Sequence, residues 1–101
     1  MLEMRFSPHS FRQIDAADSW WIENRPANPH LFLAELQTAL KQIQRFPTIF
    51  ADLKDNRVPG LRRLLMSRTR YYVYWTVSND AIEILAVWHT SRGNGPLDDE
   101  P

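Results

Sequence analysis

His89 is the side chain in the second half of the sequence best suited to moving protons near neutral pH, and it lies three residues before Arg92. Cleavage of RNA without a metal requires a group that activates the 2′-hydroxyl and a proton donor for the leaving oxygen. It also requires cations that stabilise charge on the reacting phosphate, and guanidinium groups match phosphate oxygens bidentately. The candidate catalytic residues of a metal-independent endoribonuclease are therefore His89, Arg92, Arg63 and Arg68.

The second half of the sequence is equally consistent with a surface that binds a partner without catalysing a reaction. Tyrosines such as Tyr72 and Tyr74 can stack on a base, and the polar segment 48–59 can form a flexible basic lip beside a groove. The candidate residues for binding a target or a protein partner are Lys54, Arg57, Arg62, Arg63, Arg68, Arg70, Tyr72, Tyr74 and Arg92.

These residues also have ordinary structural explanations. His89 can be a strand-end histidine bonded to backbone, segment 48–59 a solvated connector, and Arg62 a solvated residue at a sheet edge. The tryptophans expected to be core or interface anchors are Trp20, Trp21 and Trp88. The sequence leaves both interpretations open.

The charge distribution is uneven although the net charge is zero. Residues 41–70 carry eight basic residues and two acidic ones, a local net charge of +6. A neutral chain with a pI near 6.8 argues against general affinity for nucleic acids. The local excess instead predicts one anionic partner bound at one place.

Several classes of protein are disfavoured by composition. The chain has no cysteine, which disfavours disulfide frameworks and thiolate metal sites. Histidines at positions 9, 30 and 89 do not form a metal motif, and we expect neither a metal nor a cofactor. We find no signal peptide and no apolar run of about 18 residues, so we expect a cytoplasmic protein without membrane association.

The first half of the sequence predicts a strand followed by two helices. Apolar residues alternate over residues 2–6, and Ser7-Pro8 is a typical helix start. A first stripe of apolar residues comprises Phe11, Ile14, Ala17 and Trp21, and a second, closed by Pro47, comprises Phe32, Leu36, Ala39, Ile43 and Phe46. The short break at residues 24–29 predicts an antiparallel helical hairpin.

The second half predicts three strands joined by short turns, over residues 61–67, 71–77 and 81–88. The fold class is therefore α+β: an N-terminal strand, a two-helix antiparallel hairpin, and a three-strand antiparallel meander, with the helices on one face of a small twisted sheet. The opposite face is expected to be free. We predict a single domain over residues 1–96 and an acidic, mobile tail over residues 97–101.

With these elements in order, the chain resembles the ParE/RelE superfamily of toxins from bacterial type II toxin–antitoxin systems. The resemblance covers roughly residues 2–96. It rests on NPHLFLAELQTALKQIQRFP for the second helix, PGLRRLLMSRTRYYVYWTV for the "G-[VL]-R-x-L" strand and aromatic strand, and IEILAVWHTSRGNGP for the closing strand with its "hydrophobic-x-H-x-x-R" ending.

The resemblance implies a RelE/ParE-like fold and a toxin that arrests growth, as in plasmid stabilisation, until a cognate antitoxin neutralises it in a hetero-oligomer. Antitoxins of the superfamily lay a helix and an extended segment over the toxin. ParE-like members inhibit DNA gyrase, whereas RelE-like members cut mRNA in the ribosomal A site.

Two differences from the RelE-like pattern favour the ParE-like branch. RelE-like members usually carry a tyrosine near the C-terminus or several lysines near the groove, but Thr90 and Ser91 follow His89 here and Lys54 stands alone. We therefore expect a non-enzymatic gyrase inhibitor, with a ribosome-dependent mRNA endoribonuclease as the alternative and a purely antitoxin-binding relative as a third possibility.

Overall fold

A computed structural model of the chain describes residues 2–93 and 95–97. The elements in chain order are β1 (Glu3–Phe6), α1 (Pro8–Asn24), α2 (Leu31–Arg45), β2 (Arg62–Met66), β3 (Tyr71–Val77), β4 (Ala81–His89) and a short 3-10 helix (Thr90–Arg92). The α+β class and the order of elements agree with the prediction.

The four strands form one sheet in the order β1-β4-β3-β2. The pairs β2–β3 and β3–β4 are antiparallel and form the predicted meander. β1 adds at the edge beside β4 and runs parallel to it, with Glu3 opposite Ala81. The helical hairpin carries the chain from β1 across one face of the sheet to β2 at the opposite edge, so β1 and β4 pair without being consecutive.

Local sequence signals set the ends of the helices. The Ser7 side chain accepts a hydrogen bond from Ser10 N–H, and Pro8 occupies the first turn of α1. Two members of the predicted apolar stripes are not in the core, because Phe11 is 65% exposed and Phe46 is 48% exposed. Phe46 is the C-cap of α2, where the chain has left the helical path that would bury it.

Polar side chains of α1 hydrogen-bond to backbone groups of β4 near the end of β1. A β-bulge interrupts the β3–β4 register after Tyr74, which pairs with Ala86, whereas Trp75 pairs with Ile84. Ser10 Oγ donates to Ile84 O (3.1 Å), and Gln13 Oε1 accepts from Val87 N–H (2.7 Å). The register of β1 ends at Ile84, so at Val87 the helix satisfies a backbone N–H that the edge strand does not reach.

The main core lies between the helices and the sheet. It is built from Phe32, Leu36, Ala39 and Ile43 of α2, Ala17 of α1, and Leu64, Met66, Val73, Trp75, Ile82, Ile84 and Val87 of the sheet. Trp75 is fully buried and its indole N–H donates to Pro47 O (2.9 Å).

The opposite face of the sheet is not free, contrary to the expectation from the sequence. A second apolar cluster comprises Leu61, Tyr74, Ala86 and Trp88, with Val58 and Leu97 packed against it. The loop before β2 and the segment after the 3-10 helix therefore cover part of this face. Leu97 belongs to the described chain, whereas residues 98–101 of the predicted tail lie outside it.

Among the described residues, no helix is long and apolar enough to cross a membrane.

Candidate functional site

A groove of about 1000 Å³ lies between α1 and the end of the sheet formed by the β2–β3 turn and the C-terminal end of β4. We call it the α1 groove. One face of α1 lines it at helical spacing, with His9, Arg12, Gln13, Ala16, Ala17, Trp20 and Trp21. Of this face, the sequence pattern predicted Ala17 and Trp21 as part of an apolar stripe and Trp20 as a core or interface anchor. The polar members His9, Arg12 and Gln13 carry no apolar periodicity and were not predicted to line a site.

The groove is basic. Its arginines are Arg12, Arg25, Arg68, Arg70 and Arg92, and none of the described residues that line it is Asp or Glu. Arg25 places its guanidinium 4.8 Å from the ring centroid of Trp20 and 5.6 Å from that of Trp21. Arg92 lies 4.1 Å from the ring of Trp88. These cation–π contacts hold positive charge against aromatic surface, as in protein interfaces rich in Arg and Trp.

His89 lies at the rim of this groove and is oriented by its own chain. Its Nδ1 accepts from Ser91 N–H (3.1 Å) and lies 2.7 Å from Ser91 Oγ. The hydrogen-bond network therefore assigns the proton of the neutral ring to Nε2. In this tautomer the Nδ1 lone pair is engaged by Ser91, and Nε2–H offers a hydrogen-bond donor to a partner oxygen.

Tyr71 is the tyrosine beside His89, with ring centroids 4.9 Å apart. Burial raises the pKa of the Tyr71 hydroxyl above its ordinary value, and a hydrogen bond from Trp21 together with the charge of Arg92 offsets this only in part. The hydroxyl is therefore neutral at physiological pH and does not serve as a general base.

A smaller pocket of about 390 Å³ lies on the opposite, helix-free face. Arg63 stacks over Tyr72 at 4.0 Å from the ring centroid, and Tyr74 and Arg57 also line the pocket. Its acid is Asp55, whose pKa is lowered by hydrogen bonds from the N–H groups of Val58 and Arg57. Asp55 is therefore a turn-forming carboxylate and not a proton donor.

The segment after the 3-10 helix closes one side of the smaller pocket. Pro96 O lies 2.7 Å from His9 Nε2 and accepts from Gln13 Nε2 (3.0 Å), which ties this segment to α1. Gly95, Pro96 and Leu97 consequently line the pocket.

The candidate residues proposed from the sequence are divided between these places. Arg68, Arg70, His89 and Arg92 line the α1 groove, whereas Arg57, Arg63, Tyr72, Tyr74 and, at the rim, His89 line the smaller pocket. The basic residues that give segment 41–70 its net charge of +6 therefore do not form one continuous surface.

Two of the predicted binding residues line neither cavity. Arg62 donates to Thr48 O and to Phe50 O, which fixes the start of the loop before β2. Lys54 is exposed, at a backbone φ of 59° stabilised by a bond from its N–H to Asp52 Oδ1. The described residues contain no group of three or more His, Asp or Glu side chains that could hold a metal ion.

The chain matches a protein family over most of its length. The family described as "ParE toxin of type II toxin-antitoxin system, parDE" matches over residues 4–93. A sequence comparison with curated proteins gave no match.

Two solved structures share the fold at low identity. A structure of the chromosomal ParDE toxin–antitoxin system from P. aeruginosa has a TM-score of 0.63 and 20% identity, over 88% of this chain and 96% of that one. The YoeB dimer from Staphylococcus aureus has a TM-score of 0.53 and 20% identity, over 82% of this chain and 90% of that one. At this identity both similarities establish the fold.

Proposed function

Because the chain belongs to the family of ParE toxins of type II toxin–antitoxin systems, we propose that it arrests growth by binding and inhibiting DNA gyrase. The family implies an antitoxin partner, and we propose that this antitoxin neutralises the toxin in a hetero-oligomer. Gyrase as the target follows from the ParE-like branch of the superfamily, in which the toxin acts by binding.

The observation that carries a binding mechanism is that Arg63 lies apart from the other arginines among the nuclease candidates and that the His89 lone pair is engaged by its own chain. A cleavage site needs a base, an acid and cations around one phosphate. Arg63 lies in the pocket on the helix-free face, Arg68 and Arg92 line the α1 groove, and His89 lines both. In the neutral His89 ring the lone pair at Nδ1 is already engaged by Ser91 N–H.

The α1 groove also has the composition of a protein-binding surface. Its exposed tryptophan, Trp20, is 45% accessible, and the arginines beside it are the residue type that, with Trp and Tyr, most often carries binding energy. We therefore place the gyrase-binding surface, or the part of it with most affinity, in this groove.

A supercoiling assay with purified gyrase tests the proposal. We expect the wild-type chain to inhibit supercoiling and the pair Arg68→Gln/Arg70→Gln to weaken inhibition by about tenfold or more, since each lost charge-assisted contact costs about 1.5–3 kcal/mol. Lys41→Gln/Arg45→Gln on α2 is the matched control, because it removes the same charge outside the groove. Unchanged supercoiling at saturating wild-type protein would refute gyrase as the target.

The nuclease alternative is tested in the same preparation. Primer extension on mRNA bound to stalled ribosomes would reveal cuts in phase with codons. Their appearance with wild-type protein and their loss in His89→Gln would replace gyrase inhibition by ribosome-dependent cleavage.

A further inference from the structure

A carboxylate of α2 holds the turn between β2 and β3. Glu35 Oε2 accepts from Arg68 N–H (2.8 Å), and Glu35 Oε1 accepts from both Thr69 N–H (2.8 Å) and Thr69 Oγ–H (2.7 Å). Thr69 is only 2% exposed, so these bonds form at the base of the turn. Three charge-assisted bonds to one carboxylate fix the turn, residues 67–70, against the helix.

The ionisation of Glu35 is consistent with this role. Burial raises the pKa of its carboxyl, but the hydrogen bonds from the Thr69 side chain and from the N–H groups of Arg68 and Thr69, with the charge of Arg68, lower it more. The net pKa lies below the ordinary value. The carboxylate therefore holds the turn as an anion at physiological pH.

The last residue of the turn has a backbone conformation that favours glycine. Arg70 has φ of 68°, and its N–H donates to Met66 O (2.8 Å) to close the turn. A side chain at positive φ costs stability that glycine would not, because Cβ approaches the following carbonyl. A non-glycine residue at a strained backbone position is typical of functional sites, so Arg70 is a candidate for a role of its side chain.

The turn presents two guanidinium groups to the α1 groove. Arg68 and Arg70 are exposed, and within the described part of the chain neither side chain forms a hydrogen bond or salt bridge with a protein group, although the charge of Arg68 acts on Glu35 at longer range. Their donors are therefore available to a partner. Because the backbone beneath them is already fixed, binding orders fewer degrees of freedom than it would in a mobile loop.

We propose that Glu35 is a positioning residue which, through Thr69, holds the β2–β3 turn so that Arg68 and Arg70 form a preorganised anchor for an acidic polypeptide segment in the α1 groove. A guanidinium binds a carboxylate bidentately. The tryptophans and alanines on the α1 side of the groove fit apolar side chains between those carboxylates. The chain is neutral overall, which disfavours a nucleic-acid polyanion.

The proposal rests on the function above only in taking the α1 groove as a partner-binding surface, and it does not require the target to be gyrase.

The experiment uses the whole chain and two probes of equal charge, poly-L-glutamate and a single-stranded oligothymidylate. Binding is followed at low salt by tryptophan fluorescence, since Trp20 and Trp21 line the groove. Amide resonances of each variant confirm that it is folded at the temperature of measurement.

The informative pair of variants is Thr69→Val and Thr69→Ser, because both keep the two arginines. Valine matches threonine in shape and removes the hydroxyl donor to Glu35, whereas serine keeps it. We expect Thr69→Val and Glu35→Gln to weaken polyglutamate binding by about threefold to tenfold, up to about 1.4 kcal/mol. Thr69→Ser should bind like wild type, and faster hydrogen exchange at Arg68 N–H should accompany the loss.

The double variant Arg68→Gln/Arg70→Gln gives the loss of polyglutamate affinity when the whole anchor is removed. Lys41→Gln/Arg45→Gln removes the same charge elsewhere and shows how much of that loss is due to net charge alone. The positioning role is overturned if Thr69→Val binds polyglutamate as tightly as wild type while the double arginine variant does not. The site itself is overturned if the arginine pair and the control pair behave alike, or if polyglutamate does not bind wild type. Tighter binding of oligothymidylate than of polyglutamate would overturn the acidic polypeptide as the partner. Failure of gyrase inhibition with these binding results intact would remove only the proposed target.

Discussion

The bond between Gln13 and β4 offers the sharpest test of how α1 supports the sheet. Gln13 Oε1 accepts from Val87 N–H (2.7 Å), just beyond the β-bulge, and Val87 is only 2% exposed. The same side chain donates to Pro96 O (3.0 Å). One glutamine therefore joins the first helix, the last strand and the segment that follows it. We predict that Gln13→Met destabilises the protein.

The magnitude follows from the group left without a partner. Methionine has nearly the length of glutamine, so little void is expected, but it cannot accept from Val87 N–H. A buried donor left unsatisfied costs about 1–3 kcal/mol, and the partly exposed Pro96 O can find water instead. We expect a loss of about 2 kcal/mol, which corresponds to a decrease of about 8–16 °C in Tm for a domain of this size.

Urea unfolding followed by tryptophan fluorescence measures this loss, with an unchanged slope showing that the variant unfolds in the same way. Gln37→Met is the control, because Gln37 is exposed on α2 and such substitutions change stability by less than about 0.5 kcal/mol. Gln13→Glu keeps an acceptor for Val87 but loses the donor to Pro96, so it should lie between wild type and Gln13→Met. A loss below about 0.5 kcal/mol in Gln13→Met would refute the argument that Val87 N–H depends on this side chain.

Three further predictions concern the turn and the core. Because the folded-state pKa of Glu35 lies below its ordinary value of 4.5, its contribution is present above that pH and is lost as pH falls through the folded pKa. The stability difference between wild type and Glu35→Gln should therefore shrink from pH 7 to pH 3 in urea unfolding, and an equal difference at both pH values would contradict this. Arg70→Gly relieves the positive φ and should raise stability by about 0.5–1 kcal/mol, or Tm by about 4 °C, in a thermal melt; a lower Tm would show that the position is not strained. Trp75→Phe removes the bond to Pro47 O and leaves a void in a fully buried site, so urea unfolding should show a loss of about 2–3 kcal/mol, and a loss below about 1 kcal/mol would contradict this packing.

Local patterns in the sequence determined the elements themselves. The predicted strand at residues 71–77 agrees with β3 at both ends, and the predicted helix start at Ser7-Pro8 agrees with α1. These predictions succeed because a cap, a proline or a run of β-branched and aromatic residues acts within a few positions of the chain. The order of these elements also carried the resemblance to ParE/RelE toxins, which the family match confirms.

The tertiary structure alone decided which side chains meet. Alternation along a strand says that neighbours point to opposite faces, but not which loop or helix each face meets, so Arg63 and Arg68 could not be assigned to different cavities from sequence. The bulge in β4 depends on how β4 pairs with β3, which no single strand's sequence specifies. The role of Gln13, which binds β4 just beyond the bulge, could therefore not be predicted either. Glu35 and Thr69 are 34 positions apart, and only the packing of α2 on the sheet brings them within bonding distance. Contacts of that kind arise from long-range burial, for which a single sequence has no local signal.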